Sequence, residues 1–253
     1  MATGERGHWP EMYKLSSMEH ITPAPVPHNA KAVIALTSWK KRISTVGMTI
    51  FNLMRVCGPK YHIVLTLAKD EFPRMESELP KDLKLFIKTG LLEILWVQTN
   101  WRSFKKWIFT SVRYPTVPII SADDDCLYKY NFADELYSHI TSPKTCVTYW
   151  CDRFKHTPYY NTAGYATCYS PNYFGDVRKY LTKQLLDKYN EDDMLYVALR
   201  CILNIPGCVC LNKSYNDVAV THHEVEPLHN LYKGRTRQER DSMIESMIQL
   251  LEQ

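Results

Sequence analysis

The first half of the chain alternates continuous apolar runs with segments whose apolar residues recur at helical spacing. Such runs suit strands covered on both faces, and their alternation with helices predicts βαβ units in a mostly parallel sheet. The predicted strands are 32–37, 62–67, 91–97 and 117–122, and the predicted helices are 44–56, 81–88 and 104–112. We expect Ser44 to cap the first of these helices and Gly58 to end it.

The pattern becomes mixed beyond residue 125. Helices are predicted at 132–141 and 190–203, and short strands at 146–150, 166–170 and 208–211. Residues 237–253 carry the apolar stripe of an amphipathic helix that docks on the body. Residues 1–30 are polar and contain four prolines, which predicts an extended lead-in to an ordered domain that begins at Lys31.

Composition narrows the class of protein. The chain has 253 residues, 45% of them hydrophobic, which is ample for a core. Its net charge of +4 suits an anionic ligand such as a nucleotide but is low for a dedicated nucleic-acid binder. The eight cysteines form no CxxC pair, and neither a signal peptide nor a membrane-spanning run is evident. These features predict a reduced, cytoplasmic protein with no membrane span.

Three consecutive aspartates, Asp123, Asp124 and Asp125, follow the apolar run 117–120. In an apolar setting such carboxylates raise one another's pKa or are neutralised by a cation. A hard divalent ion is the usual partner of clustered carboxylate oxygens, and open α/β sheets bind ligands at the carboxyl ends of their strands. A turn or a helix cap would explain one aspartate; three in succession favour a metal site.

Further motifs precede the aspartates in a definite order. They are Leu36-Thr37-Ser38-Trp39-Lys40-Lys41-Arg42, Asp70-Glu71-Phe72-Pro73 and Ser103-Phe104-Lys105-Lys106. Together with the aspartates, this set resembles the GT-A glycosyltransferases, and most closely their small viral and bacterial members, over residues 32–200. The resemblance implies an α/β, Rossmann-like GT-A fold with a mostly parallel central sheet flanked by helices. It divides a single domain, 31–253, into a nucleotide-binding half (31–125), a mixed acceptor half (126–236) and the C-terminal amphipathic helix (237–253).

The resemblance also implies roles for the aspartates. Asp125 is expected to bind the metal, Asp123 to face the nucleoside and to be a second candidate ligand, and Asp124 to lie near the sugar or the ion. The oxygen ligands indicate Mn²⁺ or Mg²⁺. Such an ion would neutralise the diphosphate leaving group of a nucleotide sugar.

The nucleotide itself is expected beside Thr37, Ser38 and Arg42, where the first strand ends, and beside Lys105. Without the resemblance, the first three would be read as an incidental polar pair and a solvated arginine. Lys105 would otherwise be a surface lysine, and its neighbour Lys106 is expected to be one.

A transferase needs a base for the proton of the acceptor hydroxyl. Inverting enzymes of the resembled family take it from an acidic turn downstream, and Glu191-Asp192-Asp193 is such a cluster. Asp192 is the first candidate and Asp193 the second, because helix phase is not fixed by the sequence. The simpler alternative is that acidic residues favour the first turn of a helix.

The C-terminal region offers weaker candidates. The resemblance makes His222 or His223 an additional metal ligand, although plain loop histidines explain both. Lys233 and Arg235 could approach the diphosphate or form a solvated basic surface. The loop 161–164 matches an acceptor-side, glycine-rich loop of relatives but contains only Gly164.

The sequence therefore predicts a metal-dependent, inverting glycosyltransferase that uses a UDP- or GDP-sugar. The acceptor would be a glycan, a protein or another hydroxyl-bearing molecule, with a nucleic-acid acceptor still open. One alternative is a sugar-nucleotide nucleotidyltransferase, disfavoured because the loop after the first strand lacks glycine. Another is a non-catalytic nucleotide-sugar-binding domain.

Overall fold

A computed structural model describes residues 14–155, 157–161, 166–211, 219–220 and 235–252. The elements, in chain order, are α1 (Leu15–Met18), β1 (Ala32–Thr37), α2 (Val46–Cys57), β2 (Tyr61–Ala68), α3 (Lys81–Lys88), β3 (Glu93–Val97), α4 (Lys105–Arg113), β4 (Ile119–Ala122), β5 (Cys126–Leu127), α5 (Phe132–Ser138), β6 (Cys146–Thr148), β7 (Asp152–Arg153), β8 (Tyr160–Asn161), β9 (Ala166–Tyr169), α6 (Lys183–Lys188), α7 (Asp192–Ile202), β10 (Val209–Cys210), β11 (Ala219–Val220) and α8 (Arg237–Leu251).

Seven strands form the central sheet in the order β10-β6-β9-β4-β1-β2-β3. Strands β1 to β4 are parallel to their neighbours among themselves, and β10 is parallel to β6. Strand β9 runs antiparallel to both β4 and β6. The predicted mostly parallel sheet with a mixed second half is thus confirmed.

Helices cover both faces of the sheet. On β1, Val33 and Ala35 join a core with α4, α7 and α8, whereas Ile34 and Leu36 join a second core with α2, α3 and α5. This two-sided burial explains why the strands are continuous apolar runs rather than alternating ones. Helix α8 contributes Ile244, Met247 and Leu251 to the first core, as its stripe predicted.

Helix α2 begins two residues later than predicted, because a turn precedes it. The chain forms a hydrogen-bonded turn from Trp39, and the Thr45 hydroxyl donates to the Arg42 carbonyl at 2.9 Å. The helix therefore begins at Val46, and the prediction that Ser44 caps it is wrong. Gly58 ends the helix as predicted, with a positive φ of 63° that glycine adopts without strain.

The N-terminal segment is more than the expected lead-in. Leu15 is 1% exposed and belongs to the first core. The buried Glu19 carboxylate accepts hydrogen bonds from the backbone N–H groups of Gln98 and Thr99 and from Trp101 Nε1. The expectation of an extended lead-in that adds nothing to the core is therefore wrong. No sign of this packing is visible in the sequence, since one leucine among polar residues produces no periodic pattern.

The cysteines and the lengths of the helices bear on what the composition predicted. All eight cysteines are free thiols. None of the helices that the structure describes is long and apolar enough to cross a membrane.

We expect Leu15→Ala to lower the free energy of unfolding by about 2–5 kcal/mol, since it removes a fully packed side chain and leaves a cavity. Urea denaturation of the full chain measures this loss. His20→Ala, at an exposed position of the same segment, should change stability by less than about 0.5 kcal/mol. Equal stability of the two variants would contradict the packing of residues 14–19 on the body.

Candidate functional site

The aspartates lie where β4 and β1 end side by side. Arg42 donates from one guanidinium nitrogen to Asp124 Oδ1 at 2.8 Å and to Asp125 Oδ2 at 3.0 Å. Ser38 Oγ donates to the second oxygen of Asp124 at 2.7 Å. The loop after the first strand and the aspartates after the fourth thus form one polar cluster, because parallel strands bring their carboxyl ends to the same edge.

The charges of this cluster are only partly balanced. Burial disfavours the charged Arg42 guanidinium, but Asp124 and Asp125 outweigh it and raise the pKa of Arg42 above its ordinary value. Burial raises the pKa of Asp124, and Asp125 adds to that rise against the opposing effects of Arg42 and Ser38. The aspartates therefore still repel one another in the presence of the arginine.

Lys106 connects the aspartates to the downstream acidic turn. Its ammonium nitrogen lies 2.9 Å from Asp123 Oδ1 and 3.4 Å from Asp192 Oδ2. These two carboxylates raise the pKa of Lys106 above its ordinary value although burial acts to lower it. Two acidic groups almost seventy residues apart are in this way held around one buried cation.

Asp123 is the most accessible member of this group, with 41% of its side chain exposed. Burial, Asp125 and Asp192 together raise its pKa in spite of Lys106. Asp123 is thus the carboxylate of the cluster that solvent reaches most readily.

The expectation that Lys106 lies on the surface is wrong. Both lysines of the motif are buried, and they point to different partners. Lys105 donates to Asn100 Oδ1 at 2.8 Å and to the Arg102 carbonyl at 3.1 Å, whereas Lys106 faces Asp123. Consecutive helical residues diverge by about 100°, and the buried run that follows in α4 has no solvent face from which the phase could be read.

Three other residues that the sequence suggested for the site form hydrogen bonds or ion pairs with neighbouring protein groups. Thr37 lies at the correct strand end, but its hydroxyl donates to the Thr66 carbonyl at 2.9 Å. Asp193 Oδ1 accepts from the Met194 N–H at 2.9 Å in the first turn of α7. Arg235 forms an ion pair with the buried Glu191 carboxylate rather than a solvated surface. Their functional roles remain predictions.

Several candidates cannot be placed. His222, His223, Lys233 and residues 162–164 lie outside the described residues.

Sequence reasoning missed the residues that hold the backbone of the aspartate turn. Thr49 Oγ1 donates to the Asp124 carbonyl at 3.0 Å, and the Asp123 N–H donates to the Tyr128 hydroxyl at 2.7 Å. Asn52 makes two hydrogen bonds to the backbone of Tyr128. Thr49 and Asn52 are polar residues three positions apart in a helix that is otherwise apolar up to Arg55, which was an available signal of a buried polar contact.

The residues fit a divalent cation by charge and donor type. Within the described ranges, no three His, Cys, Asp or Glu side chains form a group that could hold a metal. Mg²⁺, however, is usually bound through one or two carboxylates together with substrate phosphates and water, and Mn²⁺ shares its preference for oxygen. The ion-paired set of four carboxylates and two cations has a net charge of −2 when ionised; it consists of Asp123, Asp124, Asp125, Asp192, Arg42 and Lys106.

Solved structures of other proteins share this arrangement of strands and helices. The crystal structure of GalNAc-T7 with UDP, GalNAc and Mn²⁺ matches 88% of this chain with a TM-score of 0.54 and 12% identity. The chain has the GT-A fold. It spans about half of GalNAc-T7, 48% of that chain, and identity this low establishes the GT-A backbone plan alone.

Two weaker likenesses accompany this match. The mannosyltransferase PcManGT from Pyrobaculum calidifontis, in complex with GDP-Man and Mn²⁺, has a TM-score of 0.47 and 11% identity, covering 91% of this chain and 73% of that one. The 4-diphosphocytidyl-2C-methyl-D-erythritol synthase from Anaerococcus prevotii also has a TM-score of 0.47, with 13% identity over 82% and 100% of the two chains. No protein-family model and no curated protein matches the sequence.

We expect the stability of the protein to rise between pH 8 and about 10.5 because of Lys105. Burial lowers its pKa to about 8, although Glu71, Asp124 and Asp70 act in the opposite direction. The unfolded chain then binds more protons than the folded one in this window, so that a penalty present below pH 8 is relieved as the pH rises. The relief amounts to roughly 3 kcal/mol for a fully buried lysine.

Urea unfolding across this pH range tests the effect. Lys105→Met should remove the rise, and Lys81→Met, at an exposed position, should retain it. The same pH dependence in both variants would show that Lys105 is not the group responsible.

Proposed function

We propose that this protein is a metal-dependent glycosyltransferase that transfers a sugar from a UDP- or GDP-sugar to an acceptor hydroxyl. The observation that carries the proposal is the Lys106 bridge, which joins the aspartates after β4 to Asp192 at the start of α7. The aspartates after β4 could hold the donor through a metal ion. A general base for the acceptor hydroxyl must be a proton-accepting group close to that donor, and Asp192 is such a carboxylate.

Asp125 and Asp123 would hold Mn²⁺ or Mg²⁺. When bound, the divalent ion supplies Lewis acidity that neutralises charge on the departing diphosphate. Arg42 keeps Asp124 and Asp125 oriented, since it contacts both carboxylates. Ser38 fixes the remaining oxygen of Asp124, so that the cluster is largely organised before a donor arrives.

Asp192 would take the proton of the acceptor hydroxyl, with Asp193 as the second candidate. Its carboxylate faces the same ammonium group as Asp123, which supports a base close to the proposed donor site. Attack by the acceptor opposite the leaving diphosphate would be a single displacement with inversion. The acceptor class, whether glycan, protein, nucleic acid or another hydroxyl-bearing molecule, is left to experiment.

The nucleotidyltransferase alternative is not favoured by the loop after β1. That loop places Ser38 and Arg42 on the aspartates, and it has no glycine with which to cradle a triphosphate.

We expect Mn²⁺-dependent hydrolysis or transfer with one member of a panel of UDP- and GDP-sugars, and its loss on chelation. Asp125→Asn should lower kcat/KM by about 100-fold or more, because loss of a direct ligand exceeds the 10–100-fold effect of outer-shell partners. Asp187→Asn, at a half-exposed position on α6, is the matched control and should retain activity.

Three outcomes would contradict the proposal. Turnover without a divalent ion would remove the metal from the mechanism. Release of pyrophosphate from a nucleoside triphosphate and a sugar phosphate would identify a nucleotidyltransferase. Donor binding with no turnover for any acceptor would indicate a binding domain.

We expect Asp192→Asn to lower kcat by about 100- to 10,000-fold, the usual contribution of a general base, with little change in donor affinity. Steady-state kinetics with varied acceptor, together with calorimetric titration of the donor, separate the two effects. Asp193→Asn is the comparison: a larger loss of kcat in that variant would transfer the role to Asp193. Full kcat in both variants would exclude this turn as the source of the base.

A further inference from the structure

The edge of the central sheet that is formed by β10 and β6 carries a group of cysteines. These cysteines have no role in the proposed transfer reaction. Strands β6 and β10 are parallel, with Val147 opposite Val209 and Thr148 opposite Cys210. Cys146 and Cys208 each precede the first of these pairs by one residue, so they lie opposite one another in the same register. Both contact the core formed with α7 and α8, which means that their side chains share one face.

Adjacent strands are separated by about 4.7–4.9 Å. This separation falls within the range of about 4.4–6.8 Å between the Cα atoms of disulfide-bonded cysteines. Cys146 and Cys208 are therefore placed for a bond that the structure does not contain.

A buried cation accompanies this pair. Arg200 of α7 has no exposed surface, and one of its guanidinium nitrogens lies 3.5 Å from Cys146 Sγ. Its Nε donates to the Tyr173 hydroxyl at 3.1 Å. A guanidinium in such a position stabilises an anion on the neighbouring sulfur.

The protonation of the two sulfurs differs accordingly. The hydrogen bond with Cys208 and then the charge of Arg200 lower the pKa of Cys146 to about 6, against the opposing effect of burial. The same hydrogen bond, followed by burial, raises the pKa of Cys208 above its ordinary value. The contact with Arg200 and the lowered pKa thus favour the thiolate form of Cys146, while the raised pKa favours the thiol form of Cys208.

We propose that Cys146 and Cys208 form a reversible, peroxide-sensitive thiol pair at this edge of the sheet. The Cys146 thiolate attacks one oxygen of hydrogen peroxide, which gives the sulfenic acid and releases hydroxide. The Cys208 sulfur then attacks the sulfenic sulfur, forms the disulfide and releases water. The two electrons lost by the sulfurs reduce the peroxide, and a thiol reductant returns them by exchange.

Two more cysteines offer a competing pair. Cys151 is near enough to Cys208 and Cys210 for both to affect its pKa, and Cys210 Sγ lies 3.9 Å from the Tyr149 carbonyl. Burial raises the pKa of Cys151 to about 11, so it is protonated at neutral pH and slow to react. Oxidation should therefore begin at Cys146, although more slowly than at an exposed thiolate because this side chain is fully buried.

The experiment treats the full chain with stoichiometric hydrogen peroxide, blocks the remaining thiols and maps peptides without reduction. We expect two thiols to be lost together and a Cys146–Cys208 bond to form. One tryptic peptide contains both Cys146 and Cys151, and another contains Cys201, Cys208 and Cys210. The bond is therefore assigned in the Cys151→Ser/Cys201→Ser/Cys210→Ser triple variant, which should form it at the rate of the wild type.

Single variants separate the two steps. Cys208→Ser keeps the Cys146 thiolate and should accumulate a dimedone-reactive sulfenic acid with no disulfide. Cys201→Ser, in α7 but outside the pair, should behave as the wild type within about twofold. Because Cys146→Ser removes the partner of a buried arginine and could impair folding, the proposal is tested through Cys208→Ser instead.

The pH profile gives an independent measurement. Besides Cys208 and Arg200, the titratable groups that interact with Cys146 include Tyr173, Cys151 and the buried Cys168. The oxidation rate should change by less than about twofold between pH 7 and pH 9, whereas a thiol with an ordinary pKa near 8.5 would gain about 20-fold.

Three results would overturn the proposal. One is a Cys151–Cys210 bond formed without a Cys146–Cys208 bond. Another is a 20-fold rise in the oxidation rate between pH 7 and pH 9. The third is protection of the thiols until a chelator is added, which would indicate a thiolate metal site. None of these results depends on whether the protein transfers sugars.

Discussion

The neutralisation of adjacent aspartates by two buried cations is the constraint on which the site depends. Arg42 holds Asp124 and Asp125, and Lys106 holds Asp123 together with Asp192. Without these cations, the carboxylates after β4 would have to take up protons or leave the strand end. Because Arg42 follows β1 and Lys106 lies on α4, the charge cluster joins the loop after the first strand to a helix that packs on the sheet.

The same cluster is the basis of the proposal that a divalent ion binds here. Arg42 and Lys106 leave two of four negative charges unbalanced, and the backbone that carries the carboxylates is held by Thr49 of α2 and by Tyr128. A rigid turn with residual negative charge gains more from a divalent ion than a flexible one would, since little ordering remains to oppose binding. The hydrogen bonds of α2 thus act on the site through geometry rather than through contact with a substrate.

Much of the fold was predictable from the sequence, because strands that are buried on both faces consist of continuous apolar residues. Strand β1 and helix α3 have the predicted bounds, 32–37 and 81–88. The aspartates were visible for a similar reason, as three like charges have few structural explanations. Lys106 was not predictable, since the phase of a fully buried helix has no polar side to fix it. The Cys146–Cys208 register was also hidden, because it depends on which strand β10 joins, and that strand is only two residues long.

Helix α7 links the two polar regions of the molecule. Its first residue, Asp192, faces Lys106, and Arg200 lies eight positions later beside Cys146, about 12 Å along the helix axis. Packing between Trp107 of α4 and Tyr196 of α7, with ring centroids 5.8 Å apart, fixes the helix between these points. Conversion of the Cys146 thiolate to a disulfide would remove the negative charge beside Arg200 while its guanidinium stays buried. The helix that carries the candidate base thus also carries the arginine that lies beside the thiol pair.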